Sequence, residues 1–85
     1  MKSFTYVITD PVGIHARPAG ILAKKAKEYS SKIVIRFGEK SAEAQKLMAV
    51  MSLCIKLNDE VTVEVTGEDE EKCVAEVEMF FKENF

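Results

Sequence analysis

Glu60 to Thr66 reads Glu-Val-Thr-Val-Glu-Val-Thr, and so strict a two-residue alternation fits a β-strand with one buried face. Val61, Val63 and Val65 fall on one side, and Thr62, Glu64 and Thr66 on the other. Other segments carry weaker forms of the same signal. Phe4 to Thr9 mixes β-branched and aromatic residues, and Asp10-Pro11-Val12-Gly13 ends it with turn chemistry. Ile33, Ile35 and Phe37 alternate with Val34 and Arg36. Gly38-Glu39 then fits a two-residue hairpin with glycine first, as a type II′ turn prefers, and Lys40 to Glu43 forms the short return strand.

Three segments change period. From Ala16 to about Lys27, Ala19, Leu22, Ala23 and Ala26 recur at i, i+3, i+4 and i+7, the spacing of one helix face. Lys24, Lys25 and Lys27 lie toward its C-terminus, where the macrodipole favours cations. Gly20 within it costs roughly 1 kcal/mol relative to alanine, so that position is either crowded or approached by a partner's backbone. Leu47 to Leu53 is a short helix, apolar on nearly all sides. Gly67-Glu68-Asp69 opens the last helix with Asp69 as N-cap, and Glu70 and Glu71 suit its positive end. The apolar stripe of that helix is Val74, Val77, Phe80 and Phe81, with Cys73 beside it. The terminal Phe85 either packs under the helix or frays.

The element order is therefore β-α-β-β-α-β-α, which points to an α+β layer of helices over an antiparallel sheet. A ferredoxin-like arrangement has a similar string. Eighty-five residues make one domain, 1–85, with no repeat or linker. A net charge of −2 supplies no basic footprint for nucleic acid, and no apolar run reaches the ~20 residues of a membrane span. Strand-like alternation begins directly after Met1-Lys2-Ser3, so no signal peptide is expected. Cys54 and Cys73 have neither the number nor the spacing of a disulfide framework or zinc site, and a cytoplasmic protein with free thiols is the default.

The chemistry concentrates in Gly13-Ile14-His15-Ala16-Arg17-Pro18-Ala19, which holds the only histidine of the chain where a loop becomes a helix. Pro18 suits a first helical turn, where its missing N–H has no intrahelical partner to lose. No Ser, Thr, Asp or Asn lies between Val12 and Ala19 to cap that helix. First-turn N–H groups of Ala16, Arg17 or Ala19 are thus open to an anion. Arg17 adds a fixed charge and a planar fork of donors suited to phosphate oxygens. A lone loop histidine is more often a solvated surface residue, and Gly-X-His is weak by itself. The imidazole, guanidinium and helix start together look like a phosphate-handling site. No metal ligands cluster near it.

This heptapeptide closely resembles the active-site segment of HPr, the histidine-containing phosphocarrier family of the bacterial phosphoenolpyruvate:sugar phosphotransferase system. The resemblance continues through Lys46-Leu47-Met48-Ala49-Val50-Met51-Ser52-Leu53, Glu60 to Val65 and Gly67-Glu68-Asp69-Glu70, covering essentially the whole chain. It implies an HPr-like open-faced β-sandwich, a four-stranded antiparallel sheet with helices on one face. It further implies that Nδ1 of His15 takes a phosphoryl group from phospho-Enzyme I and passes it to enzyme IIA domains during sugar uptake. Arg17 then balances its charge, and the backbone N–H groups of Ala16 and Arg17 orient its oxygens. Such a protein is a stoichiometric carrier rather than an enzyme, needs no cofactor, and docks its partners in turn as a monomer.

Leu47, Met48 and Met51 fit a core reading, yet so short a helix cannot bury every side. An exposed Met-rich patch makes an adaptable docking surface, and the resemblance places partner binding there together with the histidine loop and Gly20. Two positions depart from the family. Gram-positive members carry at position 46 a serine that a dedicated kinase phosphorylates for catabolite control; Lys46 cannot accept that phosphate, and at a helix start it opposes the dipole. Cys54 stands where the family often has glycine; strain follows if that residue needs positive φ, and a buried, inert thiol is expected. Two other readings remain: a regulatory paralogue acting through protein contacts, and a small phosphatase or acyl-transfer enzyme on a ferredoxin-like fold. The latter needs a water-activating base near His15, and only Asp10 is close in sequence.

Overall fold

Each strand forms where alternation puts apolar side chains on one face. The computed structural model describes residues 1–85, with strands β1 (Lys2–Val7), β2 (Lys32–Phe37), β3 (Lys40–Glu43) and β4 (Glu60–Thr66). They form one antiparallel sheet in the order β1-β4-β2-β3. The register brings Val63 opposite Phe4 on one side and Ile35 on the other, and Ile35 opposite Ala42. All four are buried. The opposite face carries Thr5, Thr62, Arg36 and Ser41 in register, with Nε of Arg36 donating to Oε1 of Glu64 at 2.6 Å. Between Phe37 and Lys40, Gly38 takes φ +62° while Glu39 keeps negative φ, which is the type II′ pattern.

Helices α1 (Ala16–Ala26), α2 (Leu47–Ser52) and α3 (Glu70–Asn84) complete the expected order, so the chain is the open-faced α+β sandwich rather than a ferredoxin-like one. Helix α1 buries Ala19, Leu22, Ala23 and Ala26, the predicted stripe. Phe81 of α3 is the largest wholly buried side chain. It meets Phe4, Tyr6 and Phe85 edge-on at 5.5, 5.8 and 5.1 Å between ring centres. Phe85 is therefore packed, not frayed. Its carbonyl oxygen accepts from the N–H groups of Thr9 at 2.6 Å and Asp10 at 2.8 Å.

Those two bonds explain one correction, because β1 stops at Val7 rather than reaching Thr9. Ile8 still bonds to Asn58 and Asp59 just ahead of β4, and from Thr9 onward the backbone turns to Phe85 instead. A second correction concerns α3, whose buried residues are Cys73, Val77, Phe80 and Phe81, with Val74 only half-buried. The i, i+4, i+7, i+8 stripe begins at Cys73, so that thiol is core. Burial, reinforced by the Asp69 charge, pushes it up to about 11, and it is unreactive at neutral pH.

Asp69 occupies the N-cap position of α3 but does not cap with its side chain. Its carboxylate instead accepts from the Ser31 hydroxyl and, at 3.0 Å, from the Ser30 N–H, tying the start of α3 to the loop before β2. The Ser31 hydrogen bond holds Asp69 below the usual carboxylate range. The expectation for Cys54 divides in two. It takes φ +54°, as feared, yet it is exposed rather than buried. A left-handed residue that ends α2 by donating to Met51 at 3.2 Å turns its side chain outward. Nor is Gly20 crowded, since nothing lies within 4 Å of where its Cβ would stand.

Candidate functional site

The loop before α1 is fixed at both ends, and the fixing residues are those that flank the histidine. Asp10 closes a turn by accepting the Gly13 N–H at 2.9 Å, and its Oδ1 accepts the Val12 N–H at 2.8 Å. Gly13, at φ +80°, lies flat against the backbone of Ile55 and Lys56. Ile14 is buried and donates its N–H to Ile55 at 3.1 Å. His15 follows as the extended N-cap residue of α1, at φ −117° and ψ 171°, and its side chain makes no cap hydrogen bond. The imidazole is 37% exposed, open to a partner on one side.

The first turn of α1 refines the expected anion donors. The Ala19 N–H is already taken by the His15 carbonyl at 3.0 Å. Ala16 and Arg17 keep backbone N–H groups without a protein partner, and Pro18 has none to satisfy. These two donors and the exposed Arg17 side chain stand immediately beside the imidazole in the chain. A cleft of about 310 Å³ gathers Asp10, His15, Arg17 and Ile21 with Glu83 and Asn84 from the end of α3. Its Asp10 Oδ2 lies 3.7 Å from Nε2 of His15. A neutral imidazole so placed can attack a phosphoryl group and form a phosphoramidate. Protonation of that ring later makes it a good leaving group, so the group keeps a high transfer potential.

Glu83 and Asn84 were invisible in the sequence, because only the docking of α3 brings them to the cleft. Ile21 carried a signal: it falls outside the Ala19, Leu22, Ala23, Ala26 stripe and is 52% exposed. Helix α2, which packs against α1, buries Val50, leaves Leu47 and Met51 half-buried against the core and exposes Met48 at 77%. Lys46 sits at its N-cap position, where Nζ pairs with Oε2 of Glu43 at 3.3 Å. No helix is long and apolar enough to cross a membrane.

The sheet order and the uncapped helix start that carries His15 set this chain beside a known class of small phosphocarrier. The family model described as "PTS HPr component phosphorylation site" matches residues 2–83, and the chain belongs to the HPr family of phosphotransferase-system phosphocarriers. It is 42% identical to the phosphocarrier protein HPr of Mycoplasma capricolum over 74 residues, covering 87% of this chain and 83% of that one. The HPr of Mycoplasma genitalium is also 42% identical, with 99% and 97% covered. A solved Mycoplasma histidine-containing phosphocarrier protein superposes with a TM-score of 0.90 at 38% identity, over 93% of this chain and 90% of that one.

Proposed function

We propose that His15 is the phosphoryl acceptor and that the chain shuttles this group from phospho-Enzyme I to sugar-specific enzyme IIA domains in the cytoplasm. The observation that carries the reading is the His15 ring, released from capping and set beside the two partnerless N–H groups of Ala16 and Arg17. The lone pair of Nδ1 attacks phosphorus while the phosphorus–nitrogen bond to the donor histidine breaks and that imidazole leaves. The N–H groups and the Arg17 guanidinium hold the transferred oxygens. The second transfer reverses these roles, with the His15 ring as leaving group. The chain acts as a single unit over residues 1–85, a carrier consumed and regenerated rather than an enzyme, with no cofactor and as a monomer.

Leu47, Met48 and Met51, with Gly20 and Ile21 on α1, form the docking surface that both partners use in turn. Met48 contributes most, as a flexible side chain held in water by its position on α2. Lys46 removes the serine-kinase switch, since an ammonium paired with Glu43 stands where a phosphate acceptor is needed. The test is onward delivery. Protein loaded with labelled phosphate, mixed with purified IIA domains, is expected to pass the label to at least one of them within seconds to minutes. Stable loading with no transfer to any IIA domain, but with binding to another protein, would replace this reading by the regulatory one.

A further inference from the structure

Asp10 is held at three points, and its one remaining atom is the one that faces the reacting ring. Its N–H donates to Phe85 at 2.8 Å, its carbonyl accepts from Gly13 at 2.9 Å and its Oδ1 accepts from Val12 at 2.8 Å. Oδ2 alone is uncommitted, and it lies 3.7 Å from Nε2 of His15. A carboxylate is acceptor-only when ionised, so the ring edge turned toward it is favoured as N–H and disfavoured as a lone pair. Fixing the proton on Nε2 leaves the lone pair on Nδ1. The same negative charge repels a phosphoryl group from the Nε2 side.

We propose that Asp10 is a positioning residue for phosphoryl transfer, holding the His15 imidazole in the Nε2–H tautomer so that Nδ1 is the nucleophile. The proposal rests on His15 being the acceptor. Asp10 touches neither phosphorus nor the oxygens in transit; it acts through the ring. Once Nδ1 carries the phosphoryl group, the proton on Nε2 stays opposite the carboxylate until the group leaves. Arg17 and Glu83 line the same cleft, but no contact from either to a ring nitrogen competes with Asp10.

Asp10→Asn separates charge from shape. An asparagine keeps an oxygen for the Val12 N–H and then presents its NH₂ to Nε2, which favours a lone pair there and the proton on Nδ1. Nitrogen-15 spectra of the unphosphorylated ring are expected to show Nε2–H in the wild type and a large Nδ1–H population in the variant. Loading by Enzyme I should slow about tenfold with an unchanged KM, well short of the ~10⁴-fold a buried aspartate–histidine pair contributes to a serine protease, because this pair is partly exposed. Asp10→Ser, which keeps an acceptor for Val12 and removes the second oxygen, should slow loading with a mixed tautomer spectrum and an intact fold. Wild-type tautomers in both variants, at any loading rate, would overturn the proposal, as would a shifted tautomer with unchanged loading. Were the wild type itself to take no phosphoryl group, the acceptor assignment would fall instead, while the ring spectra would still report on Asp10.

Discussion

Gly13→Ala is expected to lower the melting temperature by about 15 °C and to slow phosphoryl loading, although it adds one methyl group two residues from the histidine. The new Cβ would run into the carbonyl oxygen of Ile55 and stand 2.7 Å from the Cα of Lys56, and both obstacles are backbone. At φ +80° the residue is also where a side chain strains its own backbone. Strain and overpacking together cost about 3 kcal/mol, and each kcal/mol moves the midpoint of a domain this size by roughly 4–8 °C. Relief comes by lifting the loop from Ile55, which breaks the 3.1 Å bond of Ile14 and releases His15. Gly20→Ala is the companion measurement: with open space around it, that helix position should gain roughly 0.5–1 kcal/mol. Thermal unfolding of both variants decides the matter, and equal melting temperatures would contradict the packing described for the loop.

Phe81→Ala is expected to cost about 3–5 kcal/mol, the range for emptying a buried aromatic site. For a domain whose whole stability is of order 5–15 kcal/mol, that approaches the total. The ring is wholly buried, and the three aromatic rings around it, on β1 and past the end of α3, cannot all collapse into the space. The consequence reaches the site. Phe85 packs on Phe81 and donates its N–H to the Phe81 carbonyl at 2.8 Å, while its own carbonyl holds Thr9 and Asp10. Loosening Phe81 should therefore weaken hydrogen-exchange protection at the Thr9 and Asp10 amides along with the core. Urea unfolding gives the magnitude; a loss below 1 kcal/mol would show that α3 is not the keystone of this core.

Periodicity located what local rules govern. Val61, Val63 and Val65 face the core because a two-residue repeat leaves no other choice, and Gly38 turns the hairpin because it alone accepts that φ cheaply. Helix α1 ends within a residue of expectation, with its apolar face correct. What the sequence hid was decided by distant partners. Strand β1 stops early because Phe85 claims the Thr9 and Asp10 amides, and Asp69 serves Ser30 and Ser31 instead of its own helix. Val77, Phe80 and Phe81 of the α3 stripe are buried as expected, and only its first member differs, Cys73 in place of Val74, because cysteine reads as neither polar nor strongly apolar. For Cys54 the family's glycine pointed to strain only on condition of a positive φ, and both that angle and the outward side chain depend on the folded backbone. At the site, His15 and Arg17 were legible from their own heptapeptide, whereas Glu83 and Asn84 enter the cleft only through the packing of α3.

The most direct test of the central claim is intact mass after incubation with phosphoenolpyruvate and purified Enzyme I, for the wild type and His15→Ala side by side. The expected result is one added phosphoryl group on the wild type, lost in mild acid as a phosphoramidate is, and none on the variant with its fold intact. An unmodified wild type in the presence of an active Enzyme I, or equal labelling of the variant, would contradict the assignment of His15 as the carrier residue.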